Sequence, residues 1–115
     1  MKKKYQTLKE FYPYYLTEHS KQITRVLHYL GTSLFLLVML YGLMTQQWKI
    51  LILGPLFGYG FAWFGHFFFE KNKPATFIYP LYSLVSDFIM LFHFLTGQLN
   101  ERMREAFKII KSNPH

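Results

Sequence analysis

The feature that most constrains this chain is a stretch of twenty residues without a charged side chain, from Ile50 to Phe69. As a helix, this stretch would be about 30 Å long, which matches the hydrocarbon core of a bilayer. A similar uncharged stretch runs from Val26 to Met44, and a third apolar segment, from Phe77 to Leu99, contains Asp87 and His93. We therefore expect an all-α membrane protein with about three hydrophobic membrane segments.

Composition supports a single integral membrane domain that covers residues 1–115. A content of 51% hydrophobic and 21% aromatic residues exceeds what a soluble core of this size needs. The formal net charge is +7, but the basic residues flank the apolar runs, which favours membrane lipids with anionic headgroups as partners and not nucleic acid. The chain has no cysteine, so any bound metal must use histidine and carboxylate ligands.

The polar turn Thr45–Lys49 separates the first two apolar stretches, which predicts that they form an antiparallel hairpin. The positive-inside rule then places one end of this hairpin on the cytoplasmic side of a membrane. This membrane would be the cytoplasmic membrane of a bacterium or the endoplasmic reticulum of a eukaryote. The basic residues grouped at that end are Lys2, Lys3, Lys4, Lys9, Lys21, Arg25, Lys71 and Lys73.

Both ends of the chain carry shorter amphipathic patterns. Residues 5–16 mix apolar and charged side chains and predict an interfacial segment that is broken at Pro13. The C-terminal pattern predicts an amphipathic helix that lies in the membrane plane, because its apolar residues recur at helical spacing between charged ones. These apolar residues are Leu99, Met103, Ala106, Phe107 and Ile110.

The second apolar stretch ends in His66 and Glu70, which are four residues apart. Four residues on an α-helix correspond to about 400°, so both side chains would point the same way. The hairpin would bring His28 close to them, and two histidines with one carboxylate suit a non-heme iron site. The alternative for His66 and Glu70 is an interfacial histidine and a solvated carboxylate, and for His28 it is a hydrogen bond to Thr32 or to another helix.

Two further residues could join this site. His19 lies nine residues before His28, so the two can share an ion only if a helix starts after His19, with Ser20 as a possible cap. Asp87 lies deep in the third segment, where an unpaired carboxylate costs roughly 3 kcal/mol or more. It could be a metal ligand, an orienting partner of a histidine or a partner of Arg25. We interpret His93 as structural.

At these residues the chain resembles the "metabolism of phytosphingosine" family of small membrane proteins. The matching pieces are Glu18-His19, Arg25, Leu27-His28, Gly31-Thr32, Gly65-His66-Phe67-Phe68-Phe69-Glu70, Asn72-Lys73-Pro74-Ala75-Thr76 and Asp87. The fungal founding member is an iron(II)-dependent dioxygenase that shortens 2-hydroxy fatty acids by one carbon and has essential histidines. The resemblance implies the same catalytic role for His19, His28 and His66.

The resulting hypothesis is an iron(II) dioxygenase whose substrates are a 2-hydroxy fatty acid and O2. Its metal would be held by the three histidines and by a carboxylate from Glu70 or Asp87. We expect Arg25, Lys73 and Tyr79 to bind the substrate. Two alternatives are a b-type heme protein with two axial histidines, and a non-catalytic lipid-binding or scaffold protein. The sequence does not indicate an oligomeric state.

Overall fold

The computed structural model describes residues 4–112, and in this range the chain is helical without β-strands. Short 3₁₀ turns cover Trp48–Ile52 and Ala75–Phe77, and a π turn covers His66–Glu70. The chain divides into two compact units, of which residues 21–73 form one. Residues 4–20 and 74–112 belong to the other, and each unit is described separately. The described helices are α1 (Leu8–Thr17), α2 (Gln22–Met44), α3 (Leu53–Gly65), α4 (Pro80–Leu95) and α5 (Leu99–Ser112).

The unit of residues 21–73, which we call the hairpin unit, consists of α2 packed antiparallel against α3. The two backbones lie close together at Gly31, where an added Cβ would lie 2.9 Å from the carbonyl oxygen of Gly58. Near the open end, a Cβ on Gly65 would lie 3.3 Å from Cγ2 of Thr24. Glycine is therefore required at Gly31 because a side chain would collide with the backbone of the other helix. The predicted hairpin of the first two apolar stretches is confirmed.

The boundaries of these two helices agree with the sequence pattern. Helix α2 ends at Met44 in a Schellman motif, in which the N–H of Gln47 donates to the carbonyl of Gly42 at 2.9 Å. The segments Gln22–Met44 and Trp48–Glu70 have mean hydropathies of 1.8 and 1.4 and are long and apolar enough to cross a membrane. Large apolar side chains on their outer faces, such as Leu37 and Leu56, are exposed.

The other unit, which we call the terminal unit, packs α1 against α5 and α4. Phe11, Leu16 and Met90 are fully buried in its core. The predicted break at Pro13 is wrong, because α1 continues through this residue. Proline removes one backbone donor from the helix, but burial of the aromatic and aliphatic side chains on either side of it favours the helical conformation.

The predicted third segment, Phe77–Leu99, is divided in the structure. Helix α4 has 16 residues, which gives about 24 Å of helix, shorter than the hydrocarbon core. Pro80 occupies its first turn, and Gly97, with φ +76°, follows its end in a second Schellman motif.

The amphipathic character of the C-terminal helix is confirmed. Helix α5 buries Leu99, Met103 and Ala106, whereas Phe107 remains 44% exposed. Its apolar face therefore contributes to the core of the terminal unit. Its predicted position in a membrane plane stays a prediction.

Candidate metal centre

His28 and His66 lie side by side at the open end of the hairpin unit. His28 is in the second turn of α2, and His66 is the first residue of the π turn that follows α3. Their ring centroids are 5.0 Å apart with an interplanar angle of 87°, and the side chains are only 4% and 2% exposed. The prediction that the hairpin brings these two histidines together is confirmed.

Each of these rings is held through Nδ1. Nδ1 of His28 donates to the carbonyl oxygen of Thr24 at 3.0 Å, and Nδ1 of His66 donates to Oδ1 of Asn72 at 2.7 Å. Carbonyl and carboxamide oxygens accept hydrogen bonds and cannot donate them, so the proton lies on Nδ1. In the neutral imidazole, Nε2 then keeps its lone pair, which is the arrangement typical of metal-ligating histidines.

His19 has the same arrangement in the terminal unit, in the segment between α1 and α2. The side chain is 1% exposed, and its Nδ1 donates to the carbonyl oxygen of Tyr15 at 2.6 Å. The Tyr15 ring also packs on the imidazole, with centroids 4.2 Å apart. Because α1 ends at Thr17 and α2 begins at Gln22, the condition that a helix starts after His19 is met.

The cap of α2 differs from the prediction that named Ser20. The N-cap residue is Lys21, whose side chain makes no capping hydrogen bond. Its backbone N–H instead donates to Oε1 of Glu70 at 2.6 Å. The Glu70 carboxylate therefore lies at the N-terminus of α2, where the partial positive charge of the helix stabilises an anion.

His28 and His66 form a buried pair of imidazoles within the hairpin unit that could hold a metal ion, and His19 is a buried imidazole of the same tautomer in the terminal unit. Imidazole nitrogens suit iron, zinc, copper and nickel, and three such ligands leave coordination positions open for other molecules. The chemistry of this donor set therefore fits a catalytic metal.

The π turn explains how His66 acquires its partner. The N–H groups of Lys71 and Asn72 both donate to the carbonyl of His66, and Lys71 adopts a left-handed conformation with φ 64°. This tight reversal returns Asn72 to the start of the turn. The angle of about 400° expected between His66 and Glu70 on an α-helix does not apply here. The hydrogen bonds of a π turn join residues five apart, whereas those of an α-helix join residues four apart.

Asp87 contacts the residue that holds His19. Its Oδ1 accepts a hydrogen bond from the Tyr15 hydroxyl, and burial raises the pKa of Asp87 to about 7. Of the roles considered for Asp87, this contact supports an orienting one, which acts through Tyr15. A role for Glu70 or Asp87 as a metal ligand stays a prediction.

The other residues singled out from the sequence have the following surroundings. Arg25 interacts with the Tyr29 hydroxyl, and Lys73 is exposed. The Tyr79 hydroxyl accepts the backbone N–H groups of Lys4 and Tyr5, at 2.7 and 3.0 Å. Substrate binding by Arg25, Lys73 and Tyr79 stays a prediction.

His93 pairs with another aromatic side chain. Its Nδ1 lies 2.8 Å from the Tyr12 hydroxyl, so the pair links α4 to α1. This contact agrees with the structural role predicted for His93.

Sequence reasoning did not assign the three residues that hold the imidazoles, namely Tyr15, Thr24 and Asn72. Tyr15 and Thr24 each precede a histidine by four residues, a spacing at which a helical carbonyl can reach the ring. Asn72 lies in the Asn72-Lys73-Pro74 motif, but its contact with His66 depends on the π turn.

Comparison with known proteins gives one match. A family model described as 2-hydroxy-palmitic acid dioxygenase Mpo1-like matches residues 5–99, which include all three histidines and Asp87. Searches of curated proteins and of solved structures found no match. Because the family model covers more than half of the sequence, the chain belongs to the 2-hydroxy-palmitic acid dioxygenase Mpo1-like family.

Proposed function

We propose that this protein is an iron(II)-dependent dioxygenase that converts a 2-hydroxy fatty acid into a fatty acid one carbon shorter. The family description supports the reaction class and the substrate class. The observation that carries the proposal is that three histidines are buried and that each is held through Nδ1 by a hydrogen-bond acceptor. A metal-ligating histidine almost always donates its other ring N–H to such an acceptor, which fixes the tautomer and the orientation of the ring.

The proposed roles follow from this arrangement. His19, His28 and His66 would hold the metal through Nε2, and a carboxylate from Glu70 or Asp87 would complete the ligand set. Bound iron(II) would supply open coordination positions and redox chemistry for the oxidative cleavage. The reaction balances in atoms and electrons when a 2-hydroxy acid and O2 give the shorter acid, CO2 and water.

The surroundings of the site are proposed to suit an amphipathic substrate. Arg25 and Lys73 would orient the carboxylate, because guanidinium and ammonium groups form strong charge-assisted hydrogen bonds with it. Tyr79 would contribute to the same binding region. The acyl tail would lie among aromatic and aliphatic side chains in a membrane that the segments Gln22–Met44 and Trp48–Glu70 cross, with the site on the cytoplasmic side.

The proposal is tested by metal analysis and oxygen consumption on protein purified without chelators. We expect iron to bind, and we expect iron-loaded protein to consume O2 with 2-hydroxypalmitate and to release the acid one carbon shorter. The variant His66→Ala should lose both properties, whereas His93→Ala should keep them. Iron-loaded protein that consumes no O2 with any 2-hydroxy acid would contradict the enzymatic proposal, and a Soret band would indicate heme instead.

The same assays identify the carboxylate ligand. Glu70→Gln keeps an acceptor for the Lys21 N–H, and Asp87→Asn keeps an acceptor for the Tyr15 hydroxyl, so both variants should fold. We expect one of them to lose iron, which would assign the fourth ligand. Retention of iron in both variants would leave the histidines as the whole protein ligand set.

A further inference from the structure

The terminal unit contains a cavity of about 410 Å³ between α1, α4 and α5. This volume is in the range of binding sites for small molecules. All of its lining residues belong to the terminal unit, and none of them is one of the three histidines. The apolar walls are formed by Leu8, Pro13, Leu16, Ile89, Ala106 and Ile109.

A small residue, Ala106, lines the cavity where α5 faces α1. Ala106 is 2% exposed and ends at Cβ, so it does not fill the space between the larger side chains around it. If a methylene group occupies ~30 Å³, the share of one water molecule in the liquid, the cavity of about 410 Å³ holds roughly 14 methylenes. That number corresponds to one long acyl chain.

Charged residues lie at the mouth of the cavity. Lys9, Arg102 and Glu105 line it and are exposed. The salt bridge found between residues 4 and 112 joins Arg104 to Glu101, so neither Lys9 nor Arg102 is neutralised by an ion pair within this range. Arg102 donates to Oε1 of Gln98 at 3.2 Å, which uses one of its five N–H groups. The mouth therefore has a net positive charge and spare donors.

We propose that this cavity binds a single long-chain fatty acid, with its tail between α1 and α5 and its carboxylate between Lys9 and Arg102. The choice of a fatty acid rests on the proposed function, since the one-carbon-shorter product belongs to this class. The net positive charge favours an anionic headgroup over an amine. The volume favours one chain over a phospholipid with two.

The test measures binding of radiolabelled palmitate to the metal-free full-length protein in nanodiscs, with empty nanodiscs as the background. Palmitate lacks the 2-hydroxyl group, so binding does not depend on catalysis. The double variant Lys9→Gln, Arg102→Gln should weaken binding by about 2- to 30-fold, the range for two exposed ion pairs. Ala106→Leu narrows the cavity and should weaken binding. Lys108→Gln removes the same charge from an exposed position of α5 outside the cavity and is the matched control.

Competition experiments with three unlabelled compounds separate the possible occupants. Unlabelled palmitate should displace the probe, whereas hexadecanol and hexadecylamine should not, and His66→Ala should bind palmitate like the unaltered protein. Unchanged binding in the double variant would overturn the proposal, even if Ala106→Leu fails to fold. Displacement by hexadecylamine, or saturation of the site by the phospholipids of the nanodisc, would also overturn it. Palmitate binding without O2 consumption by iron-loaded protein would refute the proposed function and leave this site standing.

Discussion

Asn72 offers the sharpest test of the candidate metal centre, because its side chain is the partner of His66 Nδ1. The two atoms are 2.7 Å apart, and His66 is 2% exposed. In Asn72→Ala the buried Nδ1–H loses its acceptor, and the ring is no longer fixed with Nε2 available for a metal. We therefore expect the substitution to weaken metal binding strongly without removing a metal ligand.

The magnitude can be estimated in two ways. A buried donor left without a partner costs about 1–3 kcal/mol. Loss of a hydrogen-bonding partner of a ligating histidine typically lowers metal affinity about 10- to 100-fold, which corresponds to about 1.4–2.7 kcal/mol. The two estimates agree, so we expect Asn72→Ala to weaken metal binding by one to two orders of magnitude.

The measurement is a titration with cobalt(II), whose absorption bands report the coordination geometry and do not require catalysis. Asn72→Asp keeps an acceptor in the same place and adds a negative charge, so it should bind cobalt at least as tightly as the unaltered protein. Lys73→Ala changes the exposed neighbouring residue and should leave the affinity unchanged. Thermal unfolding by circular dichroism checks that each variant is folded.

A folded Asn72→Ala variant that binds cobalt within twofold of the unaltered protein would refute this reasoning. The hydrogen bond to His66 would then be a packing contact without a role in metal binding. Equal losses in Asn72→Asp and Asn72→Ala would also contradict it, because the acceptor itself would not explain the effect.

Three further predictions concern the remaining parts of the structure. His19→Ala, His28→Ala and His66→Ala should each reduce iron content to background, whereas His93→Ala should lose only about 1 kcal/mol of stability, as measured by metal analysis and denaturation. Burial raises the pKa of Asp87 from its ordinary value of 3.8 to about 7. The folded state therefore binds more protons than the unfolded state in this window, so stability should fall by up to about 4 kcal/mol as the pH rises through it. Asp87→Asn should abolish that slope in denaturation experiments at several pH values. Gly31→Ala should lower the melting temperature, because its Cβ would lie 2.9 Å from the carbonyl oxygen of Gly58. Gly60→Ala meets no atom within 4 Å and should gain up to about 1 kcal/mol.

Hydrophobic patterning was sufficient to predict the hairpin unit. The end of α2 at Met44 follows from the polar turn after it. The meeting of His28 with His66 follows from antiparallel pairing of the segments Gln22–Met44 and Trp48–Glu70, which have 23 residues each. Pattern alone could not predict that α1 continues through Pro13, because this depends on tertiary burial of Phe11 and Leu16. The division of the third apolar segment depends on Gly97, whose left-handed conformation ends α4.

The π turn at His66–Glu70 was beyond the reach of the sequence pattern. The α turn and the π turn differ in their periodicity. The run that ends in His66-Phe67-Phe68-Phe69-Glu70 is apolar at nearly every position, so its sequence has no periodicity that could distinguish the two turns. The assumed α geometry placed His66 and Glu70 together as a pair. In the structure, Glu70 accepts from Lys21 and His66 donates to Asn72, while the Glu70 carboxylate still interacts electrostatically with the His66 ring.

The three histidines reach the same tautomer by two different routes, and this difference bears on function. His19 and His28 each donate to a backbone carbonyl four residues earlier, so any residue at positions 15 and 24 that keeps the helix supplies the acceptor. His66 begins the π turn, and its acceptor comes from a side chain six residues later. Because His66 is buried, its Nδ1–H needs an acceptor whether or not the ring binds a metal, since an unpaired buried donor costs about 1–3 kcal/mol. The left-handed Lys71 returns Asn72 to His66, so the acceptor of this ring alone can be removed by changing a side chain, and Asn72→Ala separates a packing role of the hydrogen bond from a role in metal binding.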